Sequence, residues 1–161
     1  LGEEILKTYE ELQEIARQQG VDVIDNYTFT SERIDGLYCD STVAISKKLE
    51  TDVEKACVLA EELGHHNTAC GDITEQSNPS NRKQEIHGRI IAYNNMVGLM
   101  GLISAYNNHC QNICETADFL GVTEKFLMES INYYKNKYGT CATVDNYIIF
   151  FDPAIAVLEL I

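Results

Sequence analysis

The segment from Thr51 to Asn67 constrains this chain most, because the start of a helix and its apolar character are both written into it. Thr51 is an N-cap residue, and Glu54 three positions on completes a capping box. Cys57, Val58, Leu59, Ala60 and Leu63 then make the helix strongly apolar. The adjacent Glu61 and Glu62 and the histidine His65 interleaved with them are therefore not all free in water, while His66 reads as a rim residue.

Around that helix the pattern is mixed. Apolar positions Ile5, Leu6, Tyr9, Leu12, Ile15 and Ala16 recur at helical spacing from Glu3 to Gln19, with Gly20 as the stop. Val21 to Ile24 and Gly36 to Ile45 carry β-branched and aromatic residues, the second broken by an Asp40-Ser41 turn, which predicts two or three short strands. A further helix is expected to start near Asn81 and to carry Glu85, Ile86, Ile90, Ala92 and Tyr93. Helices follow over 97–108, 110–120 and 123–138, the last two parted by Gly121 and the last capped at Thr123. Cys141–Val144 and Tyr147–Phe151 form a closing hairpin through Asp145-Asn146. With no linker or repeat, residues 1–161 read as one α+β domain, helix-rich, with a small sheet beside the Thr51 helix.

At 161 residues the chain can bury roughly two thirds of its unfolded surface and needs no disulfide scaffold. Its six cysteines are scattered without a C-x-x-C pair, and the expectation is reduced, mostly buried thiols. Twelve basic against 25 acidic residues give a net charge of −13, which repels a phosphate backbone and argues against direct nucleic-acid binding. The start of the sequence is charged from Glu3 onward and no run of apolar residues could cross a bilayer, so a cytoplasmic protein without membrane partners is expected.

The chemistry lies in Glu61-Glu62-Leu63-Gly64-His65. In the metal-binding pattern H-E-x-x-H, two residues four apart on one helix face hold zinc and the glutamate after the first is the general base. Here Glu61 takes the place of the first histidine, and a carboxylate is itself a zinc ligand. The alternative register, Glu62 with His66, puts Leu63 where the base belongs. The Glu61–His65 register instead leaves Glu62 beside the attacking water. Gly64 would let another backbone or a substrate strand pass close to the helix. A third ligand must come from downstream: Glu85 is favoured, with Asp72, Glu75, His87 and His109 as competitors. Tyr38, His66 and Tyr93 are candidates for substrate or oxyanion contacts.

These residues resemble the ImmA/IrrE metallopeptidases of phages, mobile elements and bacteria. The likeness runs through Gly36-Leu37-Tyr38 with Val43-Ala44-Ile45, Val58 to His65, Asn81 to Glu85 with Ala92-Tyr93, and Asp145 to Phe151. The resemblance implies zinc, with manganese or iron as alternatives, on Glu61, His65 and Glu85, and Glu62 as general base. It also implies a protein substrate, a helix-turn-helix repressor that the enzyme cleaves or otherwise inactivates. A different class of function is a non-catalytic antirepressor that captures the repressor through a degenerate metal site. A third reading takes Gln111–Tyr138 as a helix-turn-helix, but its second helix offers only Lys125, Lys135 and Lys137 as bases, and a partner-docking surface suits it better.

Overall fold

Thr8 opens the first helix: its hydroxyl accepts the Glu11 N–H at 3.2 Å and the Glu11 carboxylate accepts the Thr8 N–H at 2.8 Å. Helix α1 therefore runs Tyr9–Gln18, and Lys7 and Thr8 precede it unwound, a later start than the apolar spacing from Ile5 suggests. The computed structural model describes residues 7–69 and 80–161. Cys70, Asp72 and Glu75 lie outside the described residues.

The backbone groups into two compact units, Lys7–Ala92 and Tyr93–Ile161. In the first, α1 leads to strand β1 (Asp22–Tyr27), then to a hairpin of β2 (Gly36–Cys39) and β3 (Thr42–Ser46). Asp40 and Ser41 turn the hairpin with φ of 47° and 57°, the left-handed values a two-residue turn requires. The sheet order is β1-β3-β2, with β1 parallel and β2 antiparallel to the central β3. Helix α2 (Asp52–Ala69) packs on β2, β3 and α1. Its start is the capping box expected from Thr51 and Glu54. Ala56, Leu59, Ala60 and Leu63 bury one stripe of α2 with Val43 and Ile45 of β3 and Leu12 and Ala16 of α1 in the core of this unit. Lys55 fixes the other edge, its ammonium 3.2 Å from Asp25 of β1 and 5.7 Å from the Tyr9 ring centre. Helix α3 (Ser80–Met96) begins in this unit.

The second unit holds the end of α3, then α4 (Gly98–Asn107), α5 (Ile113–Leu120) and α6 (Glu124–Tyr138). Between α3 and α4 the chain breaks at Gly98, where φ is +62°, and Tyr134 braces the break. The buried Tyr134 hydroxyl accepts the Gly98 N–H at 3.1 Å and lies 3.1 Å from both the Tyr93 carbonyl oxygen and Asn94 Oδ1. Gly121 at φ +65° ends α5, and the Thr123 hydroxyl caps α6 by accepting the Phe126 N–H. The expected hairpin is β4 (Cys141–Val144) with β5 (Tyr147–Phe150), and a third strand, β6 (Ala156–Glu159), extends it into a meander. At four residues, β6 is too short for a strand alternation to stand out in the sequence.

The fold is α+β, six helices with two three-stranded sheets among the described residues. Among these helices none is long and apolar enough to cross a membrane. The thiols depart from expectation: Cys39, Cys114 and Cys141 are exposed, Cys110 is half-buried and only Cys57 of the described five is buried. Cys39 and Cys141 sit on strand positions that face outward, and Cys114 is on the first turn of α5, so local register puts them in water.

Candidate metal centre

Helix α2 presents its polar residues on two adjoining faces. Glu61 and His65 are four apart, as are Glu62 and His66, and each pair shares one side of the helix. The surroundings of the two faces differ.

The His65 side meets α3. A Cβ built on Gly64 would lie 2.2 Å from the Gly88 carbonyl oxygen, and one on Gly88 would lie 2.6 Å from His65 Nδ1. The helices cross where neither carries a side chain, which is the close backbone approach expected of Gly64. His65 is half-buried, and its imidazole donates to the Gln84 carbonyl of α3. Burial lowers its pKa, and although the Glu85 charge and the Gln84 carbonyl oppose that, Arg89 works with it. Burial thus favours the neutral ring, the form that can ligate a metal. Glu85 is one residue beyond Gln84, exposed, and forms an ion pair with Arg89 at 3.2 Å.

The Glu62 side meets the sheet. Gly36 of β2 passes so close that a Cβ there would lie 2.5 Å from Val58 Cγ1 and 3.3 Å from Glu62 Oε1. The Tyr38 N–H on the same strand donates to the Glu62 carboxylate. Burial is the main force that pushes Glu62 up to about 7, and the negative charge of Glu61 adds to it, with Glu85 a smaller contributor; the Tyr38 N–H and Arg89 pull the other way. Beside it the Tyr38 hydroxyl lies 2.8 Å from His66 Nδ1, with the two rings edge to face at 5.3 Å. His66 is buried, 8% exposed. Its place is therefore beneath the rim, as the partner of Tyr38.

Glu61, Glu62, His65 and Glu85 are thus neighbours in charge, and Tyr38 and His66 are joined. Tyr93 belongs to the second unit, where its ring lies edge-on to Phe126 and its hydroxyl lies 3.4 Å from Glu129. His109 is also in the second unit, exposed in the turn after α4 with φ of +62°. His87 is exposed on α3. Two residues that motif spacing does not single out prove central, Gly88 at the crossing and Arg89 on Glu85. The i, i+4 relation of Glu85 to Arg89 is the one sequence signal for either.

Among the described residues no three His, Cys, Asp or Glu side chains are already drawn together as a ready-made metal group. The donor types nonetheless suit a divalent ion: an imidazole and two carboxylates on two touching helices, beside a Glu62 that burial first, and the Glu61 charge second, push toward the neutral form. No family model matches the sequence, and no curated protein or solved structure matches it either.

Proposed function

We propose that this chain is a cytoplasmic, metal-dependent endopeptidase of the ImmA/IrrE kind that inactivates a helix-turn-helix repressor by cleaving it. The observation that carries the reading is the setting of the α2 polar residues: His65 on the side of α3 and Glu85, and Glu62 on the side of β2 with the Glu61 charge acting on it. That arrangement supports reading His65 with Glu61 and Glu85 as the ligand set and Glu62 as the general base. Glu61, His65 and Glu85 would hold zinc, with manganese or iron as alternatives, and the ion would supply Lewis acidity toward the scissile carbonyl.

The remaining work falls to the chain's own groups. Glu62, oriented by the Tyr38 N–H and titrating near neutrality, takes a proton from the attacking water and later returns it to the leaving amine. The Tyr38–His66 pair shares its side of α2 and offers a hydroxyl donor to the developing oxyanion. The phage or mobile-element setting and the repressor as substrate rest on the family resemblance alone. The α5–α6 helix-turn-helix supports protein docking better than DNA reading, because Lys135, one of three lysines on α6, is already paired with Asp152 at 2.6 Å.

A second reading, stoichiometric capture by an antirepressor, is favoured by Glu61 at the usual histidine position and by the engagement of Glu85 with Arg89. Chelation separates the two. Protein stripped with dipicolinate is expected to stop generating fragments from repressor domains and from a quenched-peptide library, and to recover on addition of zinc. Repressor inactivated one-to-one by stripped protein, with no fragments in mass spectrometry, would establish capture instead.

A further inference from the structure

We propose that β6 is a docking edge for a second copy of this chain, so that the β4-β5-β6 sheets of two copies join across a two-fold axis into one continuous sheet. The contact lies wholly within the second unit and is independent of the α2 site. Edge strands are ordinarily guarded by a bulge, a cover or a charge. The other sheet edges among the described residues are guarded in this way. β1 is broken by a register shift around Asn26, where φ is 57°. On β2 the Glu62 carboxylate takes the Tyr38 N–H, and β4 leans on α6. β6 pairs with β5 in unbroken register and, among the described residues, no strand lies on its other side. The Leu160 N–H donates to the Asn146 carbonyl, so by antiparallel alternation Ala156 and Leu158 aim their main-chain groups at β5, and Val157 and Glu159 aim theirs outward.

Charge and register identify the occupant. Each chain carries a net charge of −13, so two copies repel one another unless they meet where carboxylates are absent. Ile149 is fully buried, which turns Ile148 and Phe150 to the outer face of the sheet, beside Cys141 and Thr143 of β4 and Ala156 and Leu158 of β6. None of these side chains is charged. Leu158 and Leu160 are about half exposed there, at 50% and 45%. The one charge on β6, Glu159, is on the opposite face, where its carboxylate accepts from the Asn146 side chain at 3.3 Å and the Tyr147 hydroxyl at 3.4 Å. With Leu158 on the axis, Leu158 meets its own copy and Leu160 meets Ala156 of the second copy. Each Glu159 then faces Val157 of the second copy rather than another carboxylate. An antiparallel edge in this register is its own complement, as a two-fold contact requires.

The test is sedimentation velocity of the full chain from low to high micromolar concentration, for wild type, Leu158→Lys and Thr143→Lys. Both substituted side chains are exposed, so both variants should keep the wild-type helical signal. Wild type is expected to pass from monomer to dimer, and to do so at lower concentration in high salt, which screens like charge. Leu158→Lys removes two apolar contacts and sets two ammonium groups at the axis, and is expected to weaken the dimer about a hundredfold. Thr143→Lys, on the same face but on the far strand, should leave it unchanged. Hydrogen exchange reads the edge directly in unmodified protein: the Val157 and Glu159 amides are expected to slow as concentration rises. A monomer throughout, or a dimer that salt weakens, would overturn the proposal. So would a dimer that Leu158→Lys leaves intact, one that Thr143→Lys disrupts as much, or exchange at Val157 and Glu159 that does not change with concentration.

Discussion

Glutamine in place of Glu62 is expected to lower repressor cleavage by about a hundred- to ten-thousand-fold, the contribution of a positioned general base, with metal binding and repressor binding retained. The same substitution should stabilise the metal-free protein at alkaline pH. Glu62 is raised from its ordinary 4.5 to about 7, so between those values the unfolded chain has given up a proton that the folded chain keeps. Stability therefore falls as pH rises through this window, by up to about 3 kcal/mol once Glu62 is fully ionised. Glutamine removes that cost. The variant should be more stable than wild type at pH 8 and within about 1 kcal/mol of it near pH 5, as read by denaturant unfolding of chelated protein. Cleavage at the wild-type rate in the variant would remove Glu62 from the chemistry. A stability difference independent of pH would show instead that its carboxyl is not the buried, repelled group described above.

Gly64→Ala is expected to destabilise the protein by about 3 kcal/mol, against the ~1 kcal/mol that alanine gains over glycine within a helix. The added methyl would lie 2.2 Å from the Gly88 carbonyl oxygen and 2.8 Å from its carbon, both backbone atoms with no rotamer to escape into, so α2 and α3 must move apart. Gly88→Ala meets a different obstacle, the His65 ring at 2.6 Å, which can turn aside. It should therefore reduce zinc affinity more than stability. Gly64→Ala as stable as wild type in a thermal melt would show that the helices do not touch at this point, and the separation of His65 and Glu62 onto two surroundings would lose its support.

These glycines also mark how far the sequence could be read. Local signals translated well: the Thr51–Glu54 capping box starts α2, the left-handed Asp40-Ser41 turn joins β2 to β3, and Gly121 with Thr123 parts α5 from α6. Each depends on neighbours a few residues away. What stayed hidden depends on distant partners. Gly36 and Gly88 look like ordinary glycines until another element is laid against them, and Arg89 looks like surface charge until His65 comes across from α2. The preference for Glu61–His65 over Glu62–His66 rests on the sequence, because only the first register leaves a carboxylate for the base; the structure adds that His66 is the partner of Tyr38. The ranking of Tyr38, His66 and Tyr93 was not, since nothing in their spacing distinguishes a tyrosine beside Glu62 from one whose ring packs against Phe126. Thr8 and Glu11 did hold a local signal for the start of α1, overridden by the apolar spacing of Ile5 and Leu6.

The most direct test of a metal centre on α2 and α3 is the metal content of protein purified without chelator, measured by elemental mass spectrometry beside a Glu61→Ala, His65→Ala double variant. The proposed function predicts about one zinc per chain in the wild type and none in the variant. Equal metal in both, or none in either after zinc is added back, would contradict it and leave Glu61, Glu62 and His65 as structural features of a buried helix.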